Sequence, residues 1–290
     1  MSTSLVLGFF DGVHKAHKAV ITSALEFSDN VVLITFKESP AVYFGKEEEY
    51  ILSRKDSLEK IKKLGVKNIV ELDFSEIANK SAEEYLKYLI DTYKPVSIST
   101  GFNHTFGLNK SGNAEFLRNN QDKYKYKYIC LPPVKDGNNI ISSSLIRNYL
   151  KEGKVDKANS LLETNFILEG TVVHGAKIGR TIGFPTANIN YPNEIVKLPF
   201  GVYCVSLAFL EREGVRGQLK SAIMNWGMKP TVHNTVEPIV EVHILDFDGD
   251  LYGKDIRVEV LKQIRPEQKF SSLEDLKKQI KKDIKECSEL

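Results

Sequence analysis

Along the first half of the chain, short apolar runs alternate with stretches whose apolar positions recur every three or four residues. The runs Leu5–Leu7, Val31–Phe36, Asn68–Leu72, Val96–Ser99 and Tyr126–Leu131 predict strands, and His17–Phe27, Arg54–Leu64, Ala82–Tyr93 and Asn113–Arg118 predict helices. Ser53 and Ser81 stand where N-caps belong, and Gly65 where a helix stops. Strand and helix in alternation predict a parallel sheet covered on both faces, and such sheets bind ligands beyond the carboxyl ends of their strands. After "SSLIRNYLKEGKVDKANSLLE" the texture changes. The runs "FILEGTVVH", "GVYCVSLAF", "LKSAIMN", "IVEVHILDF" and "IRVEVLKQI" are strand-like and separated by turns, and no long helical pattern returns until about Ser272. They predict a small antiparallel barrel or sandwich followed by one helix. The boundary falls near 160–168, giving domains at 1–163 and 164–290.

A length of 290 residues agrees with two domains, each able to bury its own core. The hydrophobic share of 42% and charged share of 27% are ordinary for a soluble protein, and no apolar run is long enough to span a membrane. The N-terminus lacks the basic segment, long apolar stretch and cleavage site of a secretory signal, so a cytoplasmic location is expected. A net charge of +2 gives no ground for bulk attachment to nucleic acid. Two lysine-rich stretches have plainer explanations. Leu273, Leu276, Ile280 and Ile284 recur at helical spacing with the lysines between them, and "DKYKYKYICL" alternates as a strand with one wet face would. Cys130, Cys204 and Cys287 are odd in number and form no CxxC pair, so they read as reduced packing residues. Self-association is left open.

Two of the six histidines sit in "LGFFDGVHKAHKAVI" (Leu7–Ile21). A strand, a tight turn at Asp11-Gly12 and a helix place backbone N–H groups and the positive end of the helix dipole at the top of a sheet, where anions bind. His14 and His17 would project toward that spot; a surface or capping pair is the competing reading, and a zinc site lacks a third ligand. In "ISSSLIRNYL", Ser142, Ser143 and Ser144 precede a helix carrying Arg147, either a phosphate clamp or a serine cap beside a surface arginine. "STGFNHTFGLNKSGN" (Ser99–Asn113) is a strand end followed by a long polar loop of a kind that is usually functional.

In the second half, "GTVVHGAKIGRTIGFPTANI" gathers Gly170, Gly175, Gly179 and Gly183 with Lys177 and Arg180. It is neither a P-loop nor a dinucleotide fingerprint, but sharp backbone bends beside cations suit an anion. Pro185-Thr186-Ala187-Asn188 offers a hydroxyl and an amide oxygen on a fixed turn, hard ligands of the type magnesium takes, or simply a turn. In "PIVEVHILDFDGDLYG", alternation puts Val240, Val242 and Ile244 on one face and Glu241, His243 and Leu245 on the other. Glu241 is then either a general base whose pKa burial raises, or one half of a structural salt bridge. "DFDGD" is not a calcium loop, because Leu251 stands where that loop needs glycine; a hairpin turn at Asp248-Gly249 is expected.

Taken together, these stretches resemble a known family. "GFFDGVHKAH" is similar to the GxFDGxHxGH signature of the nucleotidyltransferase superfamily, and "GFNHTFGLNKSG" and "ISSSLIR" to its later motifs. "GRTIGFPTANI", "GVY", "EVHILDFDGDLYG" and "IRPEQKFSSLEDL" resemble successive motifs of the riboflavin kinase module. All of them, in this order, resemble the bifunctional bacterial riboflavin kinase/FAD synthetases. The resemblance implies an α/β nucleotidyltransferase-like N-terminal domain with a Rossmann-like parallel sheet, then a small antiparallel riboflavin kinase-like β-barrel with a C-terminal helix. It implies phosphorylation of riboflavin to FMN and adenylylation of FMN to FAD, each with ATP and Mg²⁺. By motif position it implies that His14 and His17, with Phe10, Asp11 and Gly12 of the turn, meet the ATP phosphates. Ser143 and Arg147 would hold the triphosphate and Asn103 would line the same site. In the second module it implies Mg²⁺–ATP at Thr186 and Asn188, and a loop over the nucleotide containing Gly175, Lys177 and Gly179. Glu241 would be general base on the ribityl 5′-hydroxyl, and Arg265 would lie near the flavin. Two positions depart from the pattern: Ala16 replaces the glycine between the motif histidines, and in "TFKESP" Ser39 takes a histidine's place. They motivate a first alternative, a riboflavin kinase whose first module has weakened. A flavin-sensing binding protein is a second, against which the intact PTAN and Glu241 positions speak.

Overall fold

The structure, a computed structural model, describes residues 2–175, 178–211, 214–230 and 236–289. The chain divides into two compact units, Met1–Leu145 and Ile146–Leu290.

In the first unit the elements run β1 (Thr3–Leu7), α1 (Lys15–Phe27), β2 (Asn30–Phe36), α2 (Pro40–Tyr43), α3 (Arg54–Lys63), β3 (Asn68–Leu72), α4 (Ala82–Tyr93), β4 (Pro95–Gly101), α5 (Ala114–Tyr124) and β5 (Lys127–Leu131). A short ribbon, β6 (Lys135–Asp136) with β7 (Asn139–Ile140), leads to the start of α6 (Ser143–Lys151). The five long strands are parallel in the order β3-β2-β1-β4-β5. Period-two alternation explains how β1 feeds two cores. Leu5 and Leu7 join Ile34 and Ile98 beneath Leu86, Leu89 and Leu117 of α4 and α5, while Val6 joins Leu33 with Val20 and Ile21 of α1 and Ile61 of α3. Both expected caps are in place: Ser53 accepts from Asp56 N, and Ser81 forms a reciprocal capping box with Glu84. The lysine–tyrosine stretch is a correction. Its first part is the end of α5; Lys125, at φ 56°, closes the helix, and the strand begins only at Lys127.

The second unit continues with α7 (Val155–Leu162), β8 (Phe166–Val173), α8 (Ile178–Thr181), β9 (Ala187–Asn190), β10 (Gly201–Glu211), β11 (Gly214–Pro230), β12 (Val236–Ile244), β13 (Asp255–Pro266) and α9 (Leu273–Ser288). The strands close an antiparallel barrel in the order β10-β11-β12-β9-β8-β13, with β13 pairing back onto β10. Val240, Val242 and Ile244 of β12 are buried, so the alternate positions Glu241 and His243 face outward, as the alternation predicts. Asn159 of α7 fastens the barrel's entry, donating to the Val260 carbonyl (2.9 Å) and accepting from Phe166 N (2.7 Å).

Two expectations for this half are corrected. The "DFDGD" segment is not a hairpin: β12 pairs with β11 and β9, and β13 with β10 and β8, so residues 245–254 cross the end of the barrel past two intervening strands. Asn188 lies on the short strand β9, not on a fixed turn. Cys204 of β10 and Cys287 of α9, far apart in sequence, face each other sulfur to sulfur with Cα atoms 5.3 Å apart, while Cys130 stands apart from them. The approach escapes a spacing argument because 83 residues separate the two; it depends on α9 folding back over Ile223, Leu261 and Ile264. Among the described residues no helix is long and apolar enough to cross a membrane.

Candidate active sites

The strand order of the sheet reverses between β1 and β4, so the loops after these two strands part to opposite sides and leave a crevice at the carboxyl ends. A cleft of about 400 Å³ lies there. Its lining brings together Leu7–Phe10, His14, Ala16 and His17 from the β1–α1 connection, Gly101–Thr105 after β4, Leu131–Val134 after β5, and Ile140–Ser144 before α6. The three polar motifs singled out in the first half of the sequence thus converge on one cleft.

His14 is the N-cap of α1; its Nδ1 accepts from His17 N at 3.4 Å, and the two rings stack with centroids 3.7 Å apart. His17 also meets the Phe10 ring edge-on at 5.2 Å. Burial, then the neighbouring His14 and Lys60, hold the His17 imidazole well below its ordinary range, and its buried Nδ1 finds no hydrogen-bond partner among the described residues. A neutral, partly unsatisfied imidazole at a helix N-terminus is poised to receive an anion, whose charge would offset what keeps the ring neutral. Asn103 lines the same cleft beside His104, whose Nε2 is sealed from solvent.

Asp11 and Gly12 are not in the cleft lining. Asp11 Oδ1 accepts from Ile51 N (3.0 Å), its carbonyl accepts from Ser143 Oγ (3.0 Å), and the Gly12 carbonyl accepts from Lys60 Nζ (3.2 Å). They shape the turn, and Ser143 both lines the cleft and pins that turn. Arg147 lies one helical turn beyond Ser143 on α6, with Nε buried, and is not in the lining. The methyl of Ala16 belongs to the cleft wall, whereas Ser39 does not: it caps α2, accepting from Ala41 N at 3.2 Å.

Burial holds the His104 imidazole down to about 4, from an ordinary value of 6.5. The unfolded chain therefore binds more protons between these values, and stability is full above pH 6.5 and falls as pH drops toward 4. His104→Phe should remove about 2 kcal/mol of the stability lost between pH 7 and pH 5, read by urea denaturation at the two pH values; equal losses in both proteins would refute it.

On the barrel, two clefts share Thr186. One, of about 340 Å³, is lined by Gly179, Phe184, Thr186, Asn225, Glu241, His243 and Arg265, with Leu276, Ile280 and Asp283 of α9. The other, of about 450 Å³, is lined by Arg180, Pro185 and Thr186 and by Phe247–Tyr252 of the crossing loop. Register sets Glu241 opposite Asn188 of β9 and Asn225 of β11, so the carboxylate stands between two amides at cross-strand distance. Asn188 is buried, and among the described residues its Oδ1 has no hydrogen-bond partner. Gly175 packs so tightly on that amide that a Cβ there would collide with it, and a Cβ on Gly179 would strike the Phe184 carbonyl. Arg265 forks onto Asp283 (Nη2 to Oδ2 2.9 Å), which also accepts from Gln279 at 2.8 Å. Lys177 lies outside the described residues. Phe247–Tyr252 and Asp283 were missed by sequence reasoning. The polar, glycine-containing "DFDGDLYG" carried the same kind of signal as the loop at Ser99–Asn113, but the hairpin expectation hid it.

Each unit thus carries a cleft of its own, one at the switch point of a parallel sheet and one on a barrel, and the sequence comparisons place both in transferases. The family model described as FAD synthetase matches residues 1–145, and the one described as riboflavin kinase matches residues 162–290. The chain is 32% identical to the bifunctional riboflavin kinase/FMN adenylyltransferase of Bacillus subtilis, over 98% of this chain and 90% of that protein. It is 31% identical to the protein of that name from Escherichia coli K12, over 96% and 90% respectively. A solved structure titled as a macrolide-efflux protein from Streptococcus pneumoniae shares 34% identity and a TM-score of 0.89, covering 98% of this chain and 93% of that one. The chain belongs to the bifunctional riboflavin kinase/FMN adenylyltransferase family.

Proposed function

We propose that this chain makes FMN from riboflavin at the barrel and FAD from FMN at the sheet cleft, with ATP as co-substrate in both reactions. The observation that carries this reading is that each unit gathers its own family motifs around its own cleft. At the sheet, an FMN phosphate oxygen attacks the α-phosphorus of ATP and pyrophosphate leaves; little covalent chemistry falls to the protein, so positioning and charge stabilisation dominate. His14 and His17 receive the phosphates at the start of α1, Asn103 and Ser143 flank them, and Phe10, Asp11 and Gly12 shape the turn; Arg147, outside the cleft lining, is assigned to the triphosphate by its motif position alone. At the barrel, riboflavin takes the smaller cleft and ATP the larger, with Thr186 between them. Glu241 accepts the proton of the ribityl 5′-hydroxyl as that oxygen attacks the γ-phosphorus, and ADP leaves. Gly175, against the Asn188 amide, and Gly179, beside Thr186 at the junction of the two clefts, belong to the segment we assign to the nucleotide, and Arg265, held by Asp283, orders the flavin side.

The orphaned Asn188 Oδ1, with the Thr186 hydroxyl, fits Mg²⁺, which takes hard oxygen ligands and keeps several waters. Bound there, the ion would neutralise charge on the phosphates. We assign the adenylyltransferase to residues 1–163 and the kinase to residues 164–290, in the cytoplasm. Incubating the purified chain with riboflavin, ATP and Mg²⁺ and resolving flavins by chromatography tests the reading. FMN followed by FAD is expected. FMN alone would overturn the adenylyltransferase assignment, and neither product would overturn both assignments.

A further inference from the structure

The turn after β1 is strained. Phe10, Gly12 and Val13 have φ of 63°, 79° and 45°, and non-glycine residues persist there only where their surroundings over-determine them. The donors that do so come largely from one segment outside the cleft, Ile51–Lys60. Beside the Ile51 and Lys60 contacts to Asp11 and Gly12, Arg54 Nη1 donates to the Phe9 carbonyl at 3.5 Å. The same guanidinium pairs with Glu71 Oε1 (2.7 Å), donates to Thr35 Oγ1 (3.3 Å) and lies 5.6 Å over the Phe9 ring. Thr35 Oγ1 itself donates to the Phe9 carbonyl at 3.1 Å. One planar fork therefore links the carboxyl ends of β2 and β3 to the turn after β1, a geometry that lysine's single ammonium cannot reproduce.

We propose that Arg54 is a positioning residue for adenylyl transfer, fixing the left-handed Phe10 through the Phe9 carbonyl and thereby the place of His17. Phe10 is buried, and its ring is the edge-on neighbour of His17, which in turn stacks on His14. Without the fork, the strain at Phe10 has one fewer restraint, the ring shifts, and the histidine pair leaves the position from which it meets phosphate. Arg54 is absent from the cleft lining, so its influence passes through the turn and not through a ligand contact. The inference rests on the reading that FMN is adenylylated in this cleft.

In the full chain, Arg54→Ala should lower kcat for FMN adenylylation about 10- to 100-fold, with KM for ATP and FMN held within about twofold. Riboflavin phosphorylation, measured in the same tube, should be unchanged and reports the concentration of active chain. Arg54→Lys should give an intermediate kcat. Glu71→Gln breaks the ion pair but leaves the Phe9 carbonyl its donors, and should keep kcat; a merely structural brace would instead make it match Arg54→Ala. An unchanged kcat in Arg54→Ala, or a rise in KM alone, overturns the proposal, and if that variant fails to fold, Arg54→Lys is read by the same split. The chain carrying both His14→Ala and His17→Ala separates the two layers. If it still makes FAD the cleft assignment is wrong, and if it makes none while Arg54→Ala keeps full kcat only the Arg54 assignment falls.

Discussion

Glu241→Gln is expected to stop FMN formation from riboflavin while FMN supplied directly is still converted to FAD. The substitution keeps the side chain's size and its place between Asn188 and Asn225 on the outward face of β12, so the barrel core of Val240, Val242 and Ile244 is untouched. What it removes is the acceptor for the hydroxyl proton. General-base contributions run at about 10²–10⁴-fold, and the loss should appear in kcat, because the cleft walls that bind riboflavin are intact. Product chromatography from riboflavin and, separately, from FMN reads both halves at once. Riboflavin phosphorylation within tenfold of the unmodified chain would rule out Glu241 as the base.

The second large effect is the converse. A chain with both His14→Ala and His17→Ala should make FMN at the normal rate and accumulate it, with FAD formation reduced by at least about 10²-fold, the scale of removing preorganised donors from a reacting phosphate. Both histidines are needed for the argument because they form one object: His14 caps α1 through its Nδ1, and His17 is stacked on it and kept neutral by burial. The same arrangement predicts a proton balance. Because the His17 imidazole sits well below its ordinary range without ligand, nearby phosphate charge should raise it, and ATP binding near pH 6 should take up more protons in the intact chain than in the double variant, which keeps only the barrel's ATP site. Calorimetry in buffers of different ionisation enthalpy measures this. Equal uptake in both chains would place the proton elsewhere.

Much of this was legible along the chain because it is local. The caps at Ser53 and Ser81, the turn after β1, and the alternation that turns Glu241 away from Val240 and Val242 each depend on fewer than ten neighbouring residues, a range over which periodicity and capping chemistry act. Helix ends were less secure. Lys123 and Tyr124 alternate with their neighbours as a strand would, yet the α5 helix claims them, packing on the sheet through Leu117 and Phe116. The candidate residues divide in the same way. Those in the cleft walls were visible as motifs, whereas Asp11 and Gly12, visible in the same motif, serve the turn and not the lining.

By itself the sequence determined two kinds of layer, an alternating parallel α/β module followed by turn-separated antiparallel strands, and the residue types that each site would use. Only the tertiary structure decided which of them meet. The order β3-β2-β1-β4-β5 sets the β1 and β4 loops around one crevice, and the closure of β13 onto β10 sends residues 245–254 across the barrel end to line a second cleft instead of forming a hairpin. The approach of Cys204 to Cys287 and the reach of Arg54 to Phe9, Thr35 and Glu71 were decided there too. The physical reason is common to all four: strand order, barrel closure and long-range side-chain contacts follow from how buried faces are shared between distant segments, and a local period of two or 3.6 carries no record of that sharing.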